Sequence, residues 1–499
     1  MSLVVFVVLA FAFAGLALSL RARSGLRVAV GIVGLIAVVL AATAIDPAQI
    51  VVVGSGGLAT TAYLRVFLIL GSLVGLGLAL TGLAAGTRRD APAVTLAILG
   101  AAGLTLGLVD PRAAVLVATA GGLFGVLVTL VPSDGRAGAT IGIRETRAVV
   151  VAGALAIAAT AWFGRDLSQL AAQPVVFGLA YLAFAVAVAI RFGAIPFHLW
   201  AARLTDVVPE TSLPILMALA PASLAIVALA WTDASVAPLL VELGPARAIV
   251  LAIGIASIVL ASVAAFVQDD LEQVLGYSIV GDAGVVILAL AALDPEAWAP
   301  ARTWILVFIV ARSSFAAWTA GVRAGFWTGR VADLRGWARR SPVLAVAFIL
   351  VVVASVGFPG FVSFEARTSI VELALPDPLA TLVLLGTLAP LAYYGRLLWI
   401  GLAAPDRILE PIDAWRPRLS RPDVTALQRW LRTTWDANRA FSTASLALLL
   451  AILALATSSG AFESHAAAAG LPPSLSSPSE VVLPVASGDL PQPLESGSP

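Results

Sequence analysis

The chain has no cysteine and, although 30 of its residues are basic, no lysine. Only two histidines, His198 and His465, occur in 499 residues. Without cysteine there is no disulfide framework, no thiol nucleophile and no cysteine-ligated cluster. Two histidines so far apart in sequence give no basis for a metal site. No cofactor is expected, and no flavin, cluster or quinone chemistry. The lack of lysine has its own consequence: a buried lysine can give up its proton, whereas arginine keeps its charge. Charge of either sign is scarce, at 12% of residues against about a quarter in soluble domains. With 60% hydrophobic residues and a mean hydropathy of +1.01, the chain has too little polar surface to cover a soluble 51.0 kDa globule.

What fills the chain instead is apolar runs. A helix of about 20 apolar residues crosses the ~30 Å hydrocarbon core of a bilayer. Such runs lie near 2–20, 25–44, 60–84, 91–109, 112–131, 147–163, 174–195, 210–231, 246–267, 273–292, 300–320, 342–362, 378–402 and 441–459. The fold class expected is an all-α polytopic membrane protein with about fourteen transmembrane helices. The short alternating segments of an outer-membrane barrel are missing. No basic segment precedes residues 2–20, so this run reads as a retained span and not a cleaved signal.

Arginine sets the orientation. Twenty-one arginines fall in one set of loops, among them Arg88, Arg89, Arg144, Arg339 and Arg340. Four, Arg112, Arg165, Arg247 and Arg302, fall in the opposite set. The positive-inside rule places the richer set in the cytoplasm, with both termini outside. The remaining five, Arg65, Arg191, Arg312, Arg367 and Arg396, lie within or near the ends of spans. Snorkelling to the interface accounts well for Arg396 and fairly for Arg65. The other three sit where a charge is costly and a functional site is the default reading.

Two spans are broken beside such a charge. In 187-VAVAIRFGAIPFHLWAAR, Gly193 and Pro196 follow Arg191 and precede His198. In 353-VASVGFPGFVSFEARTSIVELAL, Gly357, Pro359 and Gly360 precede Glu365 and Arg367. Broken membrane helices expose backbone groups and occur at transporter ion sites near the midplane. The spacing of the breaks suggests two five-helix repeats, near 91–231 and 246–402, after three N-terminal helices in 1–90. A third stretch, 266-FVQDDLEQVLGYSIVGDAGVVILAL, places Asp269, Asp270 and Glu272 in a solvated turn and Asp282 inside the next span. Residues 403–440 form a cytoplasmic segment, in which 424–440 has an amphipathic, interfacial pattern. The last span follows at 441–459, and the Ser-, Pro- and Gly-rich tail at 464–499 is expected to be disordered and external.

The motifs GAIPFHLW, QDDLEQVLGYSIVGDAG, DLRGWARRSPVLA, GFPGFVSFEAR and LAYYGR occur in this order between about 190 and 400. Together they resemble the antiporter-like, proton-translocating membrane subunits of NADH–quinone oxidoreductase (complex I) and Mrp-type antiporters, with the nearest likeness to subunit N. The resemblance implies inverted five-helix repeats with helices 7 and 12 broken, and a chain of buried Glu, Lys and His that carries protons. It also implies other membrane subunits as partners, a lipid bilayer around the chain, water chains within it, and no nucleic acid. The location implied is a bacterial inner membrane.

The family's motif lysines fall on Arg191 and Arg367, a polar helix-11 position on Arg312, and a position often His or Gln on Asp282. The family glutamate of helix 5 would fall near Thr119 and the helix-8 lysine near Pro221, where neither kind of residue stands. The candidates for a proton path or charged hinge are therefore Arg191, His198, Asp282, Arg312, Glu365 and Arg367. Each also has a plainer reading. Arg191 can be satisfied by carbonyls at the break, His198 can make a structural hydrogen bond, and Glu365 can neutralise Arg367. The expectation is a weak or absent conventional proton path in the first repeat. The alternatives are a non-pumping structural subunit and an Mrp-type antiporter subunit.

Overall fold

The computed structural model describes residues 2–20, 24–47, 49–53, 56–86, 91–130, 136–162, 173–236, 244–404 and 426–457. The expected tail at 464–499, Arg165, and residues 405–425 of the cytoplasmic segment lie outside them. The described chain is a bundle of helices. They are α1 (Leu3–Ser19), α2 (Ser24–Thr43), α3 (Ala62–Ala85), α4 (Ala91–Gly107), α5 (Pro111–Leu130), α6 (Arg136–Ala159), α7 (Pro174–Phe192), α8 (Leu199–Leu204), α9 (Ala220–Val236), α10 (Gly244–Val267) and α11 (Leu271–Ala292). After these come α12 (Trp298–Phe326), α13 (Trp337–Arg340), α14 (Pro342–Val356), α15 (Val362–Ala374), α16 (Asp377–Gly386), α17 (Pro390–Leu402) and α18 (Ala426–Thr457). Among the described residues nine helical stretches are long and apolar enough to cross a membrane, and four shorter apolar helices accompany them.

Three features depart from the expected pattern. A small antiparallel hairpin, β1 (Ile50–Val53) with β2 (Gly56–Ala59), interrupts the all-α expectation. Its first strand is wholly β-branched, a composition that favours extended backbone, and it is tied to the bundle by Val109 N–H donating to Gly57 O at 2.9 Å. The span expected unbroken at 378–402 is split into α16 and α17. Pro390 opens the second piece, where its missing N–H costs nothing but where it ends the first. The segment read as a separate interfacial helix over 424–440 instead runs, from Ala426, into α18 without interruption.

The two expected breaks are present. Gly193 ends α7 in the left-handed region (φ +64°), and a Cβ there would lie 2.5 Å from Ala201 Cβ. Ile195 N–H donates to Ser257 Oγ on α10 at 3.0 Å, and Trp200 Nε1 donates back across the break to Ile190 O at 3.0 Å. The freed backbone groups are thus satisfied inside protein, as an apolar surround demands. Gly357 (φ +67°) and Gly360 (φ +94°) turn the chain between α14 and α15. Just before α9, residues Ile215–Leu219 form a π-helical turn. Pro221 follows and lacks the N–H that Met217 O would accept in an α-helix, a usual setting for such a bulge.

Helix α12 is the central pillar, with nearly every residue from Ala301 to Val322 buried. Around its C-terminal half Phe315, Trp318, Trp337, Phe348 and Tyr394 form a continuous ring cluster, with Trp318–Phe348 centroids 4.5 Å apart. At the opposite end Arg247 donates from Nε to Ala291 O (2.8 Å) and from Nη2 to Ala374 O (3.0 Å). One guanidinium thereby closes the carbonyl ends of α11 and α15 together, a placement the helix dipole favours. Arg302, assigned by sequence to an external loop, is instead buried in α12, its guanidinium 4.8 Å from the Trp298 ring and 5.4 Å from that of Tyr63.

The turn before α11 is less solvated than its acidity suggests. Asp270 caps α11, accepting from Glu272 N–H at 3.1 Å. Arg323 at the end of α12 reaches both Glu210, at 3.2 Å, and Glu272. Arg396 donates to Asp269 at 3.0 Å and to Gln268 O at 2.7 Å, so it reaches the polar turn before α11 as a snorkelling side chain would. Burial pushes the Asp270 carboxyl above its ordinary value, against the pull of Arg323 and with Asp206 adding to the rise. Its charge therefore opposes folding: the contribution is most favourable below the ordinary carboxylate value and is lost as pH rises through the raised one. Asp270→Asn keeps the cap and removes the charge. Thermal unfolding in detergent from pH 4 to 8 is expected to show the wild type losing stability with rising pH relative to Asp270→Asn.

Candidate functional site

The middle of the bundle holds a buried charge cluster. Asp282 lies at the midpoint of α11 because that helix is apolar on every side and buried almost throughout. Arg312 lies at the midpoint of α12 and is 0% exposed. Its Nε donates to Asp282 Oδ2 at 2.6 Å, and its Nη1 donates to the Tyr394 hydroxyl of α17 at 2.8 Å. Trp304 Nε1 donates to the Asp282 carbonyl at 3.2 Å and fixes α11 against α12 at this level. A charge-assisted pair of this length is strong, and in a low-dielectric interior its loss leaves an uncompensated ion.

Arg367, on α15 directly after the break, is 3% exposed and approaches the same cluster. Its guanidinium lies 5.8 Å from the Trp304 ring and 5.9 Å from that of Phe364. Its Nε and Nη2 have no hydrogen-bond partner among the described residues. Both Arg367 and Asp282 line a crevice of water-molecule dimensions, with Ser262, Ser278, Thr387 and Tyr393. The hydroxyls of Ser262, Ser278 and Thr387 donate to carbonyls of their own helices at 2.6–2.8 Å. Their lone pairs are left for the crevice. Donors on Arg367 and acceptors on the opposite wall are what a bridging water requires. Thr387 and Pro390 belong to the α16–α17 junction, so the unexpected break forms part of this wall.

Glu365 does not neutralise Arg367. It is exposed on the outer face of α15, while Arg367 points inward two residues later. Successive residues on a helix are about 100° apart, so two steps carry a side chain to the far face. Among the described residues no ion pair joins them.

Arg191 occupies the last turn of α7 and is 4% exposed. Its space is made by α5: a Cβ on Gly122 would come within 2.7 Å of Arg191 Nη2. One turn on, a Cβ on Gly125 would lie 3.7 Å from Glu145 Oε1 of α6. The Glu145 carboxylate, 3% exposed, thus lies beside the guanidinium and within Coulomb range of it. Thr119, where an acid is missing on α5, donates its hydroxyl to Val115 O at 2.9 Å. The acid beside Arg191 comes from α6.

Sequence reading missed Glu145 because Arg144 and Arg147 flank it, which gave the look of a loop. A helical signal was nonetheless present. Glu145 is in register with Val149, Ala152 and Ala156, all buried on one stripe of α6. Glu210, 0% exposed beneath Arg323, was also missed.

His198 is half-buried at the start of α8, its ring 6.2 Å from that of Tyr277 and its Nδ1 without a partner among the described residues. Tyr277 lies five residues before Asp282 on α11, a rise of about 7–8 Å. Helix α11 thus runs from the histidine at the first break to the cluster at the second. Asp282, Arg312 and Arg367 are brought together; Arg191 and His198 stand apart from them on the first break, and Glu365 faces outward.

The profile of the family described as NADH:quinone oxidoreductase/Mrp antiporter, TM, matches residues 154–391. NADH-quinone oxidoreductase subunit N of Halorhodospira halophila is 29% identical over 229 residues, 45% of this chain and 46% of that protein. The same subunit of Laribacter hongkongensis is 27% identical over 244 residues, 48% of each chain. These matches span about half the length of the curated relatives. In structure, a chain of the Mrp complex from Dietzia sp. superposes with a TM-score of 0.72 at 17% identity, covering 95% of this chain and 96% of that one. A chain of respiratory complex I from Thermus thermophilus gives 0.66 at 19% identity, covering 91% and 97%. In sequence through its middle half, and in fold along nearly its whole length, the chain is similar to the antiporter-like membrane subunits of NADH:quinone oxidoreductases and Mrp antiporters.

Proposed function

We propose that the chain is a membrane-arm subunit of a complex I-like, proton-translocating NADH-quinone oxidoreductase. In this reading it spans a bacterial inner membrane fourteen times, with two inverted five-helix repeats and both termini outside the cytoplasm. The observation that carries the reading is the buried cluster of Asp282, Arg312, Tyr394 and Arg367 beside a broken helix. A charge pair and an unpartnered cation across a water-sized crevice suit proton or ion movement coupled to neighbouring subunits. Redox chemistry belongs to other subunits. A second reading, an Mrp-type cation/proton antiporter subunit, is favoured by the 0.72 TM-score to the Mrp complex chain. The proteins that co-purify in mild detergent separate the two.

The second half carries the transfer in this proposal. Asp282 is its acid, and Arg312 and Arg367 are fixed charges that hold water and counter-ions in place. In the complexes that assemble, Asp282→Asn is expected to reduce proton pumping per electron pair. Pumping that stays at wild-type levels with normal assembly removes Asp282 from the route.

The first half is electrostatic more than conductive. Arg191 cannot pass a proton as a lysine does, so Glu145 and Arg191 act as a fixed pair that supports the break. Glu145→Gln leaves a buried guanidinium without its counter-charge, and removing one partner of such a pair costs about 3–5 kcal/mol. A drop in thermal stability of the purified protein is expected, and Arg191→Met in the same background is expected to recover part of it. Restored stability with unrestored pumping would instead assign the pair to transfer.

A further inference from the structure

Helix α15 has its amphipathic pattern inverted for a membrane protein. Val362, Ala366, Ile370, Val371 and Ala374 are buried, whereas the outward stripe is Glu365, Thr368, Ser369 and Glu372. These four are spaced i, i+3, i+4 and i+7 and so share one face. Both glutamates are exposed, and the two hydroxyl residues are half-buried between them. The turn that feeds the helix is also open outward: Phe358, Pro359 and Gly360 are exposed, and a Cβ on Gly360 would meet nothing within 4 Å.

The depth of this stripe follows from the charge cluster. Arg367 shares a crevice with Asp282, which stands at the middle of α11. Glu365, two residues before Arg367, is therefore at mid-membrane depth. Glu372 lies about 10 Å further along, near Ala374, whose carbonyl is held level with the end of α11 by Arg247. Lipid cannot cover this surface. A carboxylate at the bilayer centre is expensive, and irregular backbone at membrane depth occurs only against protein or water. The neighbouring exposed face of α10 shows what lipid-facing surface looks like in this chain: Leu260, Val263 and Val267.

We infer that the outer face of α15 is a docking surface for a transmembrane helix of another subunit, one that carries an arginine or lysine at mid-membrane depth opposite Glu365. Charge complementarity selects the occupant: both ionisable groups on the stripe are acids, and the chain's own nearest cation, Arg367, points the other way and is buried. The hydroxyl of Ser369 supplies a hydrogen-bonding group along the contact, whereas Thr368 Oγ1 is buried beneath it. The inference rests on the proposed role only in taking the chain to work in a multi-subunit assembly.

The chain contains no cysteine, so Glu365→Cys or Glu372→Cys introduces a unique thiol. Each is treated with a maleimide in the purified assembly and in the isolated chain, both in the same mild detergent, with Val263→Cys as a control on the outer apolar surface. Loss of labelling at both glutamate positions in the assembly, with full labelling of the isolated chain and of Val263→Cys in both, is the expected result. Labelling at 365 that is equal in the two states overturns the inference, as does protection already present in the isolated chain. Glu365→Arg is expected to abolish co-purification of a membrane subunit that Glu365→Asp retains; retention by the arginine variant also overturns it. Protection within an assembly that contains no quinone oxidoreductase subunits would leave the docking surface standing and reject the proposed function.

Discussion

A guanidinium inside a membrane protein keeps its charge, and much of this structure is arranged around that fact. Arginine cannot escape a low-dielectric site by releasing a proton, and an isolated buried ion is costly by many kcal/mol. Each buried arginine is accordingly met by a compensating group. Arg312 has the Asp282 carboxylate and the Tyr394 hydroxyl. Arg191 has Glu145, in a space opened by two glycines of α5. Arg302 lies against two aromatic faces. Arg367 is the case in which compensation is incomplete, and it is there that a crevice opens and a helix is broken.

The breaks and the charges form one system. A break frees backbone groups that must be satisfied within the protein, and it lets a charged residue enter the bundle without carrying a full helix turn of polar surface with it. At the first break Ser257 and Trp200 satisfy the backbone and Arg191 packs against α5 and α6. At the second, Arg367 turns inward while the acids of the same helix turn outward. Both breaks lie beside a buried arginine, but the charges around them are disposed differently. The first holds a buried arginine beside one carboxylate, and the second holds an acid and two cations beside a crevice of water-molecule dimensions. The proposed division, with transfer in the second half and electrostatic support from the first, rests on that difference.

Much of this was legible in the sequence. Spans longer than about 18 apolar residues announced themselves by length, and Gly193, Pro196, Gly357 and Gly360 marked both main breaks. Asp282, Arg312 and Arg367 were visible as charges inside apolar runs, and they do meet. What was not legible concerned which way a side chain faces and what lies across from it. Glu365 and Arg367 are neighbours in sequence but occupy opposite faces. Glu145 looked like loop charge between two arginines, although its register with Val149, Ala152 and Ala156 placed it on a buried stripe. Arg302 counted as a loop residue because Tyr63, which with Trp298 one turn earlier receives it, lies far away in sequence. The split of α16 from α17 depended on a single proline in an otherwise continuous apolar run.

The Asp282–Arg312 pair is the fixed centre of the bundle, and a double-mutant cycle measures that directly. Thermal or denaturant unfolding would be compared for wild type, Asp282→Asn, Arg312→Met and the double variant. Contacting charged residues show coupling of about 0.5–3 kcal/mol, and a buried pair belongs at the upper end. The prediction is that each single change is strongly destabilising and that the double variant is markedly more stable than their sum requires. Additive losses, equal within ~0.5 kcal/mol, would contradict it.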